Sequence, residues 1–177
     1  MRTAKVHMGS EHYFVRVKEL ASYLNDHLAG SVGALELLGH WAKLHEGKPL
    51  GYFFMDIEAE IRADQEKLRE AMRSIRIEES NVRKAGAWLA EKAGRARFMI
   101  AGGEPGSLGL VLTFEGLIMG ITGKKLMWRS LAAAKLPELK SYDFEEPQRR
   151  AEQQVERIEA ERISAVCQAF AGATRSN

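Results

Sequence analysis

Hydrophobic residues recur at three- and four-residue spacing along most of this chain, and strict alternation is nowhere sustained, so the pattern predicts helices and no strands. The longest run, Leu20 to Leu44, aligns Leu20, Leu24, Leu28, Ser31, Leu35 and Leu38 on one stripe. Ser10 fits an N-cap and no proline interrupts Glu11 to Glu46, which predicts one long first helix behind a tail at 1–9. Gly47 suits the left-handed position past a helix end, and Pro49 suits the first position of the next helix. The turn is short, so the second helix must fold back antiparallel to the first. It runs to about Ile77, with Phe54, Ile57, Ile61, Leu68, Met72 and Ile75 inside and Glu66, Lys67, Arg69 and Glu70 outside.

A weaker pattern through Val82, Ala85, Trp88 and Leu89 predicts a short helix to about Phe98, carrying Arg83, Lys84, Lys92, Arg95 and Arg97. The segment AGGEPGS breaks it, and Ser107 caps a long helix from Leu108 to about Leu136, stopped before Pro137. Asp143 and Glu146 have capping-box spacing, and Pro147 fits the first turn of a last helix to about Ala171, followed by a tail at 172–177. That helix is expected to bury Val155, Ile158, Ile163, Val166 and Phe170. The crossover from Glu78 to Ser107 is long enough to run back along the bundle, which would make the long helices on either side of it parallel. The expected fold class is all-α: two antiparallel helical hairpins joined by a long crossover with a short fifth helix.

At 177 residues the chain suits one domain, spanning 1–177. A formal charge of +2 with no block of five like charges argues against nucleic acid as a partner. The single Cys167 excludes an internal disulfide and has no histidine near it in sequence to activate it. The opening MRTAKVHMGSEHYF lacks the apolar core of a signal peptide, so a cytoplasmic location is the default expectation. The most apolar stretch, Leu108 to Ile121, falls short of the ~20 residues a membrane span needs and holds Glu115, so it is read as a buried helix.

The order of elements resembles the ferritin-like superfamily. The stretches YLNDHLAGSVGALEL, EIRADQEKL, WLAEKAGRARF and FEGLIMGITGKKLMWRSL are similar to uncharacterised bacterial proteins assigned to that fold, over roughly Tyr23 to Leu131. The resemblance carries no established activity, but it implies a four-helix bundle in which relatives hold di-iron or di-manganese, with Glu-x-x-His motifs on two helices. All five histidines, His7, His12, His27, His40 and His45, fall in the tail or the first helix, and no Glu-x-x-His occurs. The standard site is therefore expected to be absent or heavily altered, with no cofactor. The alternative is an oxidase or metal-binding protein whose iron or manganese ligands come from Glu36, His40, Glu60, Asp64, Glu115 and Glu156.

Asp64 falls between Ile61 and Leu68 on an apolar stripe, where a carboxylate needs a partner. Counting from the turns brings Lys124, Lys125 and Glu156 near its level, so the leading expectation is an ion pair of Asp64 with Lys124 or Lys125 in the volume where relatives place metal. His27 and Glu115 are the other core candidates, and Glu115 can pair with His27 or reach the crossover arginines. Glycines inside helices, Gly30, Gly33, Gly109, Gly116, Gly120 and Gly123, each cost up to ~1 kcal/mol against alanine. Close helix approach, with Trp88 near Gly116 and Gly120, is one cause. A groove for an apolar ligand, lined by Gly116, Met119, Gly120, Met127 and Trp128, is the other. The sequence thus points to a structural or interaction protein with a buried ion pair, with a metal-dependent enzyme and a small-ligand carrier as alternatives. Tyr13, Phe14, Tyr52 and Phe53 are the apolar surface expected for a homodimer.

Overall fold

Helices form where the apolar spacing requires them, in a computed structural model that describes residues 4–80 and 107–171, with side chains from residue 15 onward. The long elements are α1 (Ala4–Leu44), α2 (Pro49–Ser74), α3 (Leu108–Ala134) and α4 (Glu145–Phe170), with a 3₁₀ turn at Pro137–Leu139 and no strand among the described residues. The expected helix over 82–98 and the tail at 172–177 lie outside the described residues. No described helix is long and apolar enough to cross a membrane.

The helix ends differ from expectation for local reasons. α1 starts at Ala4, not after Ser10, because neither Gly9 nor Ser10 removes a backbone hydrogen bond and both are tolerated within a helix. α2 stops at Ser74: Arg76 adopts φ 57°, its N–H donates to Arg73 O, and Ile77 N–H donates to Met72 O. This is a Schellman ending, and it turns Ile77 back against Met72 in the core instead of extending the helix. α3 stops at Ala134, where Lys135 takes φ 48°. Asp143 Oδ1 accepts from Glu145 N and Glu146 N at 2.9 and 3.2 Å to start α4. The reciprocal half of the capping box is missing because the Glu146 carboxylate is drawn to Lys67 and Arg150.

Cross-helix pairs fix the directions. Glu60 with Arg157, Asp64 with Arg150 and Lys67 with Glu146 set α2 antiparallel to α4. Tyr23 with Ser130, and His27 beside Gly123, set α1 antiparallel to α3. Phe54 stacked on Phe114 and Asp64 paired with Lys124 set α2 and α3 parallel. The core divides into two apolar clusters. One gathers Leu38, Trp41, Phe54, Ile57, Ile61, Phe114, Leu117, Ile121 and Ile158; the other gathers Leu24, Leu28, Leu68, Met72, Met127, Trp128 and Leu131, closed by Leu139, Tyr142 and Phe144. Ile163 and Phe170, expected inside, are about half exposed, because each falls five residues past an inward one, Ile158 and Ala165, and so about 140° round the helix from it.

Phe53 packs edge-on against Phe54 and Phe114, so only Tyr52 of the described pair expected at a dimer surface is fully exposed. α3 carries more open apolar surface than expected, through Leu108, Leu112, Met119 and Leu126. Its sequence is apolar on all sides, so four-helix packing covers only part of it.

The tightest approach lies at the first turn, where a Cβ on Gly51 would stand 2.2 Å from His45 O. Gly51→Ala should therefore force α2 off the turn and destabilise the fold by about 1–3 kcal/mol. Urea unfolding followed by circular dichroism measures this, and an unchanged midpoint would refute the close packing.

Candidate functional site

Between the two apolar clusters lies a polar layer built on Asp64. Its position on the inner stripe of α2 leaves its side chain 1% exposed, with Ile61 on one side and Leu68 on the other. Lys124 of α3 donates to Oδ2, and its ammonium also donates to Gln154 Oε1 at 2.6 Å. Gln154 Nε2, fully buried on α4, donates to the same Oδ2 at 3.2 Å. Arg150, one turn earlier, lies against Oδ1 as an ion pair rather than an aligned hydrogen bond. Arg150 also meets Glu146 at 3.0 Å, and Glu146 meets Lys67. Next to Asp64, Gln65 joins the layer to α1: its amide donates to Ser31 Oγ at 2.7 Å and its carbonyl accepts from Arg69 at 2.7 Å.

Burial lowers the pKa of Lys124, opposed by the Asp64 carboxylate and reinforced by Arg150. Burial likewise lowers that of His27, against the pull of Asp26. Tyr142, which closes the layer below by donating to Lys67 O at 3.1 Å, is pushed up to about 12 by burial and by the Glu70 and Glu146 carboxylates.

Beside this layer, and at its level, the described residues line a cleft of about 510 Å³ between α1 and α3. Its walls run from Tyr23 to Leu37 on α1, about 20 Å at 1.5 Å per residue, and from Gly116 to Trp128 on α3. Its floor is Ile61, Asp64, Gln65 and Leu68 of α2. Among the described residues nothing stands within 4 Å of where a Cβ would sit on Gly30, Gly116 or Gly120. Within the described residues these glycines widen the cleft and admit no neighbouring backbone. Trp88, the other expected neighbour, lies outside the described residues. Met127 and Trp128 line the cleft; Met119, expected with them, points away and is 71% exposed.

The remaining sequence candidates separate. Lys125 is turned about 100° from Lys124 on the helix, and pairs at 3.5 Å with Glu152 instead of Asp64. Glu156 is exposed, two residues past the inward Gln154 and so on the far side of α4. Glu115 meets Arg162 at 3.7 Å and does not reach His27, which sits beside Gly123 and edge-on to Tyr23. The crossover arginines fall outside the described residues. Glu36 and His40 are exposed, and Glu60 is engaged by Arg157. The six proposed metal ligands therefore do not converge, and among the described residues no three His, Cys, Asp or Glu side chains do. Asp64, the one buried carboxylate of the set, is engaged by two cations and an amide, so this donor set does not fit a di-iron or di-manganese centre. Arg150 and Gln154 were missed as site residues; their inward phase on the row of Ala151 and Ile158 was the available signal.

Removing the carboxylate leaves two cations in the core, so Asp64→Ala should cost about 3–5 kcal/mol in urea unfolding. Lys124→Met should cost less, since Arg150 and Gln154 remain on Asp64; equal losses would show that the layer is not built on the carboxylate. Tyr142 should ionise near pH 12 in an ultraviolet titration, a step that Tyr142→Phe removes. Its raised pKa means that its contribution is whole below pH 10 and is lost as pH rises through about 12. The stability advantage over Tyr142→Phe should shrink across that window, and a constant difference would contradict the assignment. In comparisons with known proteins, no family model, curated protein or solved structure matches this chain, so the site is read from its own geometry.

Proposed function

We propose that this protein is a non-catalytic ferritin-like bundle that holds a small, largely apolar molecule in the cleft between α1 and α3. The two antiparallel hairpins, with α2 and α3 parallel across the crossover, support the ferritin-like reading. In that reading the Asp64–Lys124–Arg150 layer takes the level at which relatives place metal, and the lysine ammonium supplies the positive charge that the ions would bring. The ion layer gives the bundle its structural role; the cleft gives it something to bind.

The observation that carries the ligand reading is the open space over Gly30, Gly116 and Gly120. Glycine within a helix costs up to ~1 kcal/mol against alanine, and no close contact among the described residues offsets that cost here. The three glycines instead widen a mainly apolar cavity of the size that small-molecule sites have, with a few convergent polar groups at its base.

The test is the melting temperature of the full chain with and without saturating p-xylene, beside the double variant Gly116→Leu with Gly120→Leu, whose side chains fill the cleft. p-Xylene should raise the melting temperature of the parent protein by about 2–4 °C per kcal/mol of linked binding, and leave the filled variant unmoved. Equal response of the two proteins, or no response of either, would sink the ligand reading.

A further inference from the structure

The ion layer is an alternating row of charges, and its composition is uneven. Read from the surface inward it runs Lys67, Glu146, Arg150, Asp64, Lys124: three cations and two carboxylates. The row ends on a cation, and that cation lines the cleft. An ammonium has three donor hydrogens. Asp64 Oδ2 and Gln154 Oε1 accept two of them, and the third has no acceptor among the described residues.

Most other polar groups of the cleft are already engaged; Trp128 Nε1, buried without a hydrogen-bond partner, is a further open donor on its wall. Ser31 donates to Leu28 O and accepts from Gln65, while Gln65 is held at both ends of its amide. Tyr23 reaches Ser130 at 3.5 Å. Asp64 has Lys124, Arg150 and Gln154. His27 keeps a ring nitrogen available to donate and stands at the level of Gly123, the residue before Lys124. Asp26 is exposed at the mouth, where water screens it. A guest's head group therefore meets one unspent cationic donor with an imidazole beside it, and its body meets apolar wall toward Leu37, Gly116 and Leu117.

Resting on the cleft reading above, we infer that the guest is an amphipathic monocarboxylate, an aliphatic or aromatic acid whose carboxylate accepts from Lys124 and completes the charge row while its apolar body lies along the glycine-walled side. An amine would meet Lys124 and Arg150 with like charge, and its only open counter-ion among the described residues would be the solvated Asp26. A neutral alcohol would use the third hydrogen but leave the surplus cation uncompensated. Charge-assisted hydrogen bonds are about twice as strong as neutral ones, which sets the order of preference: acid, then alcohol, then amine.

Titration calorimetry on the full chain with octanoate, 1-octanol and octylammonium, which share one tail, tests this. Octanoate should bind about tenfold tighter than 1-octanol, with octylammonium weakest. Lys124→Met should bring octanoate down to the affinity of 1-octanol and leave 1-octanol almost unchanged. If acid and alcohol bind the parent protein equally, or Lys124→Met keeps the preference, the head-group assignment is overturned and the cleft reading stands. If none of the three binds, both fall. A measurement on the parent protein alone guards against a variant that fails to fold: the carboxyl resonance of carbon-13-labelled octanoate, followed against pH. Pairing with Lys124 should hold the bound acid's pKa below that of free octanoate, whereas a value at or above the free one would overturn the pairing.

Discussion

A single buried carboxylate sets the terms for this bundle. Asp64 sits on the apolar stripe of α2 and is almost wholly removed from water, a placement that is costly unless its lone pairs are met. The groups that meet them come from both helices of the second hairpin: Lys124 from α3, Arg150 and Gln154 from α4. One side chain of the first hairpin thereby fixes the height of the second along the bundle. Apolar contacts alone tolerate sliding, because leucine against leucine is equally favourable at several registers; a carboxylate between two cations and an amide is satisfied at one. The parallel placement of α2 beside α3 and the antiparallel placement of α2 against α4 both follow from that register.

Apolar spacing made the helices legible because their stripes are long and the stops between them are chemically plain: Gly47 and Pro49 at the first turn, Ser107 before α3, Asp143 before α4. What spacing does not carry is where a helix ends when the ending residue is ordinary. Arg76 and Lys135 both take the left-handed conformation that glycine usually occupies, and nothing in their chemistry announces it. Ile77 falls within the expected length of α2 but off its apolar row, and it reaches the core by turning back after the helix has stopped.

The site was legible in height and obscure in azimuth. Counting residues from the turns brought Asp64 and Lys124 to one level, but α3 is apolar nearly all round, so its sequence has no wet face from which to set the phase. Lys124 and Lys125 are therefore indistinguishable until the neighbouring helices are in place. On α4 formal charge points to Glu156, while the inward positions belong to a neutral amide, Gln154, and to an arginine that spacing alone assigns to a surface pair with Glu146. The glycines of α1 and α3 were ambiguous for a related reason. A missing side chain leaves room for a neighbour or leaves room for nothing, and the two outcomes have the same composition.

Cleft and ion layer occupy the same level of the bundle, and that coincidence is physically connected. The two apolar clusters at either end hold the large buried rings, Trp41, Phe54 and Phe114 in one and Trp128 in the other, so the stability of the fold is drawn from above and below this level. At the level itself the first hairpin is tied to the second by polar contacts of α2 more than by close packing of α1 on α3, whose facing walls carry several glycines. A layer satisfied by hydrogen bonds and ion pairs needs no contact from the opposite wall, so it can form the floor of an open volume without losing its own stabilisation. An apolar layer there would leave the same volume as an uncompensated cavity, with a cost that grows with its size. The buried charges are thus what allows a cleft of this size to persist between two helices of the bundle.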